Sequence, residues 1–206
     1  MSEPRIIRFA DLRPVRWKNG GGTTVELARG PEVAGEDGES TSGDWGWRLS
    51  IADVDRAGDF SSFDGMERIL TVIEGELMVL TVDGHEHGLE RHRPFRFDGG
   101  APASAVLPTG SIRDLNLITR RGSFTGHVTI LELSKKRPLP LSAGQLGVLL
   151  QGEAIASGVG NAADDGATPL ARYDAVVGGE PAPALSGRGF LAVVSVDAAD
   201  TDAGEA

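Results

Sequence analysis

The sequence contains no cysteine. This absence excludes disulfides, thiolate-bound zinc and a cysteine nucleophile. The chain also has no apolar run of membrane-spanning length, and the segment Met1–Arg5 lacks the apolar core of a signal peptide. These features predict a soluble, globular, cytoplasmic protein with no membrane partner.

A surplus of basic residues is missing too, since 20 Lys and Arg stand against 30 Asp and Glu and the formal net charge is -10. Proteins bind nucleic acid largely by neutralising its phosphates with cations, so nucleic acid is excluded as a partner. At 206 residues the chain is long enough to bury a substantial core.

No long helical period occurs in the sequence. Short runs of alternating apolar and polar residues are separated by Gly and Pro instead, as where Trp47, Leu49 and Ile51 alternate with Arg48 and Ser50. Asp83-Gly84 lies between two such runs and is a strong signal for a two-residue hairpin turn. The sequence therefore predicts an all-β fold, either a sandwich or a barrel.

The order of these elements repeats once along the chain. Residues 72–78 resemble residues 149–155, and each segment is followed by a glycine-containing turn and a related run, 89–95 or 170–176. Such a repeat indicates two copies of one β-module, the second shorter and degenerate. The expected domains are an N-terminal barrel with a ligand pocket at residues 1–134, a degenerate module at 135–196 and a disordered acidic tail at 197–206.

Three consecutive glycines, Gly20–Gly22, give up side-chain packing and therefore need a reason. They do not form a phosphate-binding loop, because Lys18 precedes them, whereas a P-loop lysine follows its glycines. The strand-like run after them favours a turn at the rim of a pocket. We expect the glycines to bring the backbone close to that pocket, with Lys18 and Asn19 reaching into it.

A set of polar residues on separate predicted strands suits the binding of a small anion. Arg48 offers a planar fork of donors that matches a carboxylate, and alternation puts it on one face with Ser50. Asp114 and Asn116 also share a face, and the two faces converge if both line one barrel. The expected ligand-binding residues are Trp17, Lys18, Asn19, Glu26, Arg48, Ser50, Asp114 and Asn116.

An alternative for Arg48 and Asp114 is a structural ion pair that ties two strands together. Arg68, Arg120 and Arg121 are expected to be surface cations.

Several motifs together resemble the HutD/Ves family of two-cupin proteins. They are Trp17–Gly22 with Thr24 and Glu26, Trp47–Ala52, Glu74-Gly75, and Asp114–Leu117 with Arg120–Gly122. The resemblance covers roughly residues 6 to 190 and implies two cupin β-barrels. It also implies a small polar pocket without a metal and a link to the governing of histidine utilisation, but no established reaction.

The sequence thus favours a metal-free bicupin that binds a small carboxylate metabolite and acts as a sensor or governor. Urocanate, formate and N-formylglutamate are the candidate ligands. No metal and no cofactor are expected, and a homodimer stays open.

The main alternative is an enzyme, which would use either a metal at His85 and His87 or a general base at Glu26 or Asp114. Position disfavours the metal, since the histidines follow the Asp83-Gly84 turn, whereas cupin metal ligands precede the Glu-Gly step. A third hypothesis is a protein-binding module that uses exposed strand edges.

Overall fold

The computed structural model describes residues 4–31, 45–159 and 166–199. Within these ranges the chain forms strands and one short 3-10 helix, Phe9–Asp11, and no α-helix. No helix in the described part has the length and hydropathy to cross a membrane. The strands are β1 Arg5–Ile7, β2 Val15–Arg16, β3 Gly22–Arg29, β4 Trp47–Val54, β5 Gly58–Asp59, β6 Met66–Glu74, β7 Leu77–Val82, β8 His85–Glu90, β9 Phe95–Asp98, β10 Ala103–Val106, β11 Ile112–Arg120, β12 Phe124–Leu133, β13 Leu139–Pro140, β14 Gln145–Ser157, β15 Thr168–Leu170, β16 Ala175–Val177 and β17 Ala184–Ala198.

The prediction of an all-β fold is confirmed, and so is the hairpin at Asp83-Gly84. Strands β7 and β8 pair antiparallel with Val82 opposite His85, which leaves only Asp83 and Gly84 in the turn. Both turn residues have positive φ, 49° and 78°. This is the backbone that a type I′ turn requires and that an Asp-Gly pair adopts readily.

The described chain divides into two compact units. The first unit comprises Arg13–Gly126 with 197–199, and the second comprises 4–12 with His127–Val196. These bounds differ from the expected division at residue 134. The segment 4–12 joins the second unit because β1 pairs antiparallel with β16, from Arg5 opposite Val177 onward.

Part of the expected disordered tail is ordered. Strand β17 continues to Ala198, and the Ala199 N–H donates to the Ser123 carbonyl at 2.9 Å. Residues 200–206 lie outside the described residues.

The first unit contains two antiparallel sheets. One has six strands in the order β2-β3-β4-β11-β6-β9, and the other has four in the order β5-β10-β7-β8. Side chains from both sheets form one apolar core, in which Val54 and Leu70 of the larger sheet meet Met78 and Leu80 of the smaller. The face of the six-stranded sheet that carries Val54 and Leu70 is called the inner face below.

The second unit is built on a seven-stranded sheet with the main order β1-β16-β14-β17-β12, while β13 pairs with β17 and β15 with β14. Its core includes the fully buried side chains of Leu141, Leu149 and Leu191. The buried charge of Asp174 is satisfied there, because the carboxylate accepts hydrogen bonds from Arg8 and from the backbone N–H groups of Phe9 and Ala171.

The two units share a local backbone arrangement at the segments that repeat in sequence. In the first unit Gly75 has φ 89°, His92 has φ 64°, and the His92 N–H donates to the Val72 carbonyl at 2.8 Å. The corresponding values in the second unit are φ 94° at Gly152, φ 71° at Tyr173, and 2.7 Å from the Tyr173 N–H to the Leu149 carbonyl. The sequence repeat therefore coincides with a repeat of local backbone geometry at these two segments.

Candidate functional site

Most of the buried polar side chains of the described chain lie in the first unit. They are Ser50, Arg68, Thr71, Asp114, Asn116 and Thr119, while Asp174 lies in the second unit. Buried polar groups require partners, so a concentration of them in one place indicates where a ligand can bind. The first unit therefore holds the candidate site.

Strand register brings several of these residues together on the inner face of the six-stranded sheet. Asn116 on β11 lies opposite Ser50 on β4, and Ile118 lies opposite both Arg48 on β4 and Arg68 on β6. Side chains two residues apart on a strand share a face, so Asp114 is on this face as well. We call Arg48, Ser50, Arg68, Asp114 and Asn116 the polar cluster.

The predicted convergence of the Arg48 face with the Asp114 face thus agrees with the register. The prediction that Arg68 is a surface cation is wrong. Only 2% of Arg68 is exposed, and its guanidinium lies over the rings of Phe60, Phe63 and Phe97 at 5.1–5.4 Å from their centroids. Its Nη1 donates to the Ser61 carbonyl at 3.3 Å, whereas its buried Nε has no partner among the described residues.

Burial lowers the pKa of Arg68 to about 10, against the opposing effect of the nearby Asp114 charge. A pKa in that range leaves Arg68 protonated at neutral pH. The cation is stabilised by three aromatic faces and one carbonyl, and one N–H remains to be satisfied.

Arg48 is the second cation of the polar cluster and is only partly buried. Its guanidinium lies 4.8 Å from the Trp45 ring centroid and 5.3 Å from that of Phe63. Burial lowers its pKa, while the charge of Glu26 raises it. As in Arg68, its Nε is buried and finds no partner in the described ranges, and Phe63 contacts both guanidiniums.

Asp114 is fully buried, and neither of its carboxylate oxygens has a hydrogen-bond partner within the part of the chain that the structure describes. Its direct neighbours in the sheet are Ala52 and Val72, which offer no side-chain donor. Burial raises the pKa of Asp114 to about 7, with Arg68 acting against the rise and Asp53 adding to it. A structural ion pair between Arg48 and Asp114, left open by the sequence, is therefore not formed.

Asn116 completes the polar cluster between the charged groups. It is buried, and its Oδ1 has no partner in the described structure. The polar cluster thus combines two cations, a carboxyl group and an amide, each with at least one unsatisfied polar atom. Such a set can hold a small anion through the guanidinium N–H groups and can exchange a proton through Asp114.

The glycine turn does not deliver Lys18 and Asn19 to this cluster. Gly22 pairs with Val54 at one end of β4, while Arg48 lies near the other end, about 20 Å away along the strand. Both Lys18 and Asn19 are exposed, and the Asn19 side chain accepts a hydrogen bond from the Gly21 N–H at 2.9 Å. The expectation that they reach into a pocket with Arg48 is wrong, because the register separates them.

The glycines have a different reason to be there. A Cβ at Gly22 would lie 2.1 Å from the Asp53 carbonyl, so the close approach is to the backbone of β4. Gly20 has φ 68°, a conformation that side chains disfavour. At Gly22 the backbone therefore comes close to the neighbouring strand, whereas the sequence led us to expect a close approach to a pocket.

Trp17 lies between the turn and the core of the first unit. Its Nε1 donates to Thr24 Oγ1 at 2.7 Å, and its ring packs edge-on against Phe60 at 6.0 Å. A cavity of about 500 Å³ opens beside it, lined also by Asn19, Val54 and 56–59. Phe60 borders this cavity and also contacts the Arg68 guanidinium, so this ring connects Trp17 to the polar cluster.

Glu26 lies opposite Ser50 in the sheet, but its side chain is exposed and pairs with Arg29 at 3.7 Å. His85 is exposed beside the Asp83 carbonyl, and the His87 ring packs at a tilt against Phe95, with 4.6 Å between the ring centroids. Within the described ranges no group of three or more His, Cys, Asp or Glu side chains is placed to hold a metal ion.

Comparison with known proteins gives the family. The HutD family model matches residues 9–193. The chain is 44% identical over 119 residues to an uncharacterised 21.2 kDa protein in the hutC 3′ region of Pseudomonas putida. It is 37% identical over 131 residues to protein Ves of Citrobacter koseri. These alignments cover 57% and 61% of the chain and only 59% and 64% of the two relatives.

Solved structures agree over the whole fold. A conserved protein of unknown function from Pseudomonas aeruginosa PAO1 superposes with a TM-score of 0.76 at 31% identity, covering 96% of this chain and 100% of the other. HutD from Pseudomonas fluorescens SBW25, in a formate condition, gives 0.73 at 30% identity with the same coverage. A cupin 2 barrel protein from Leptotrichia buccalis, at 8% identity, gives 0.58 over 94% of this chain and all of its own, so the fold is cupin-like. The chain belongs to the HutD family.

Proposed function

We propose that the polar cluster of the first unit binds a small carboxylate without a metal, and that the protein acts as a binding component in histidine utilisation. One observation carries this proposal: a buried arginine, Arg68, and a partly buried one, Arg48, each with an Nε unpartnered in the described structure, face the same interior as an unpartnered carboxyl group and an unpartnered amide oxygen. Buried donors without partners are rare in folded proteins, and a carboxylate would satisfy them.

The charge of the polar cluster favours an anion. Arg68 stays protonated with a pKa of about 10, and Arg48 is partly exposed beside Glu26. The one carboxyl inside the polar cluster, Asp114, has a pKa of about 7 and is therefore only partly ionised at neutral pH. The polar cluster consequently carries net positive charge in a low-dielectric interior, where an anion gains most from direct pairing.

The burial of the polar cluster favours a very small ligand. Arg68, Ser50 and Asp114 are each at most 2% exposed, so a ligand that contacts them must be small. Formate, the smallest of the three candidates, meets this requirement best. The names of two relatives, HutD and a protein of the hutC 3′ region, support a role near histidine breakdown.

Calorimetric titration with formate, urocanate and N-formylglutamate tests the proposal. Arg68→Met keeps the length of the side chain but removes the cation, so we expect it to abolish binding, and Arg48→Ala should weaken it. Arg121→Met is the matched control, because Arg121 lies in the same unit but pairs with Asp98 at a half-exposed site. Absence of heat from all three ligands, or binding unchanged in both cluster variants, would overturn the proposal.

Catalysis by Asp114 is the second candidate function. Its pKa near 7 would suit a general acid or base that acts on a ligand held by the arginines. Prolonged incubation with each candidate, followed by proton NMR, tests this function. A product that forms with the native protein and not with Asp114→Asn would establish it.

A further inference from the structure

We infer that the polar cluster takes up its anion together with one proton, which resides on Asp114, so that ligand and Asp114 form a carboxylate–carboxylic acid pair beside Arg68. This inference rests on the proposed function and concerns how the same site is regulated. Binding would consist of the association of RCOO⁻ and H⁺ with the ionised Asp114 carboxylate, giving RCOO⁻ hydrogen-bonded to the Asp114 O–H.

The proposed position of the ligand is between Arg68 and Asp114. Arg68 lies opposite Ile118, and Asp114 is four residues earlier on the same strand, about 13 Å along the sheet. The two side chains point from these positions into one interior, where the charge of each shifts the pKa of the other. They nevertheless form no hydrogen bond, since Arg68 Nε and both Asp114 oxygens lack partners among the described residues. A small carboxylate that accepts from Arg68 Nε and also approaches Asp114 would satisfy unpartnered atoms of both side chains.

The donors around Asp114 are too few to solvate two carboxylates. Ala52 and Val72 flank it with apolar side chains, and Asn116 is the polar neighbour on the same strand face. A protonated Asp114 supplies the missing donor, because its O–H can bond directly to an oxygen of the ligand. An ionised Asp114 would instead place two negative charges in contact in a buried site.

In the described part of the chain, Arg68 is the one cation whose charge acts on Asp114, because the second cation of the polar cluster, Arg48, acts on Arg68 instead. The charged groups acting on Asp114 are Arg68 on β6 and Asp53 on β4, while Arg48 acts on Arg68 and Glu26 acts on Arg48. Arg113, adjacent in sequence, is held by Asp53 at 2.6 Å and lies 3.7 Å from Glu74. Within the 60–65 segment the one charged residue, Asp64, is exposed, and on β9 Arg96 pairs with Glu67 and Asp98 with Arg121.

The direction of the linkage follows from these groups. Burial already raises the pKa of free Asp114 to about 7, and a ligand carboxylate beside it raises that pKa further. Between the free and bound pKa values, binding takes a proton from solution. Affinity for formate, which stays ionised in this range, should therefore fall by close to tenfold for each pH unit above 7.

Titration of the protein with formate at pH 8.0, in HEPES and in Tris, measures the proton directly. The two buffers differ in ionisation enthalpy, so the difference in observed heat gives the number of protons taken up, which we expect to be close to one. Asp114→Asn should bind formate with no proton uptake and with an affinity that is independent of pH. Asp55→Asn, which changes an exposed Asp of the same unit, should behave as the native protein.

The outcomes separate this inference from the proposed function. Formate binding with no proton uptake, or uptake that persists in Asp114→Asn, overturns the inference and leaves the proposed function standing. If formate does not bind between pH 6 and pH 8, the inference is overturned, and so is the proposed function as far as formate is the ligand. Carbon NMR of the Asp114 carboxyl gives a check that does not depend on the variant: its titration midpoint must rise when formate is added, and an unchanged midpoint overturns the inference.

Discussion

Replacement of Asp114 by Asn should change how the stability of the first unit depends on pH. Burial raises the pKa of Asp114 from 3.8 to about 7 in the folded protein. A carboxyl with a raised pKa binds its proton more tightly when folded, so its favourable contribution is complete below pH 3.8 and is lost as pH rises through 7. The amide of the variant cannot ionise, so Asp114→Asn should not show this loss.

The expected size follows from about 1.4 kcal/mol per pKa unit. Because Asp114 ionises more readily in the unfolded chain than in the folded protein, the free energy of unfolding is lower than its value at low pH by about 2 kcal/mol at pH 5 and by about 4 kcal/mol at pH 8. Relative to the native protein, Asp114→Asn should therefore gain about 2–3 kcal/mol between these two pH values. The comparison between two pH values cancels any constant cost of the amide.

Urea unfolding of both proteins at pH 5 and pH 8, followed by the fluorescence of the tryptophans, measures this gain. All three tryptophans, Trp17, Trp45 and Trp47, belong to the first unit, so the signal reports on that unit. Asp55→Asn serves as the control, because that side chain is exposed. Parallel pH curves for the native protein and Asp114→Asn would refute the reasoning.

Three further predictions concern packing and backbone. Phe63→Leu removes a ring that contacts two guanidiniums and should lower the free energy of unfolding by about 2 kcal/mol in urea; an unchanged midpoint contradicts this. Gly22→Ala should lower the melting temperature clearly more than Gly20→Ala, because only the former places a Cβ 2.1 Å from a backbone carbonyl; equal shifts contradict the assigned role. Asp174→Ala leaves the Arg8 cation and two backbone N–H groups without their acceptor, so it should destabilise the second unit by about 3–5 kcal/mol. Hydrogen exchange in the second unit that stays at the native rate would contradict this prediction.

Local patterns in the sequence were sufficient for the strands and for part of the site. The Asp83-Gly84 turn is predictable because two adjacent positive φ angles admit few residue pairs. Arg48 with Ser50 and Asp114 with Asn116 are predictable as pairs because a strand has a period of two. These inferences need only the neighbours along the chain.

The remaining features depend on pairing between distant strands. Arg68 directly precedes an apolar run. The sequence does not show that Phe60, Phe63 and Phe97, from other segments, pack against its guanidinium. The separation of Lys18 from Arg48 likewise follows from the register of β3 on β4, which no local pattern specifies. The assignment of 4–12 to the second unit depends on a pairing with residues more than 160 positions away.

That last pairing has a consequence for the order of folding. Residues 13–126 are continuous, so the first unit can form from a nascent chain as soon as they have left the ribosome. The second unit needs β1 against β16 and Arg8 against Asp174, a sequence separation of 166, so its early residues must wait for the late ones. Closing a loop between residues so far apart in sequence is slow. Pulse-labelled hydrogen exchange during refolding should therefore protect β4, β6 and β11 before β1 and β16, and the reverse order would contradict this sequence of events.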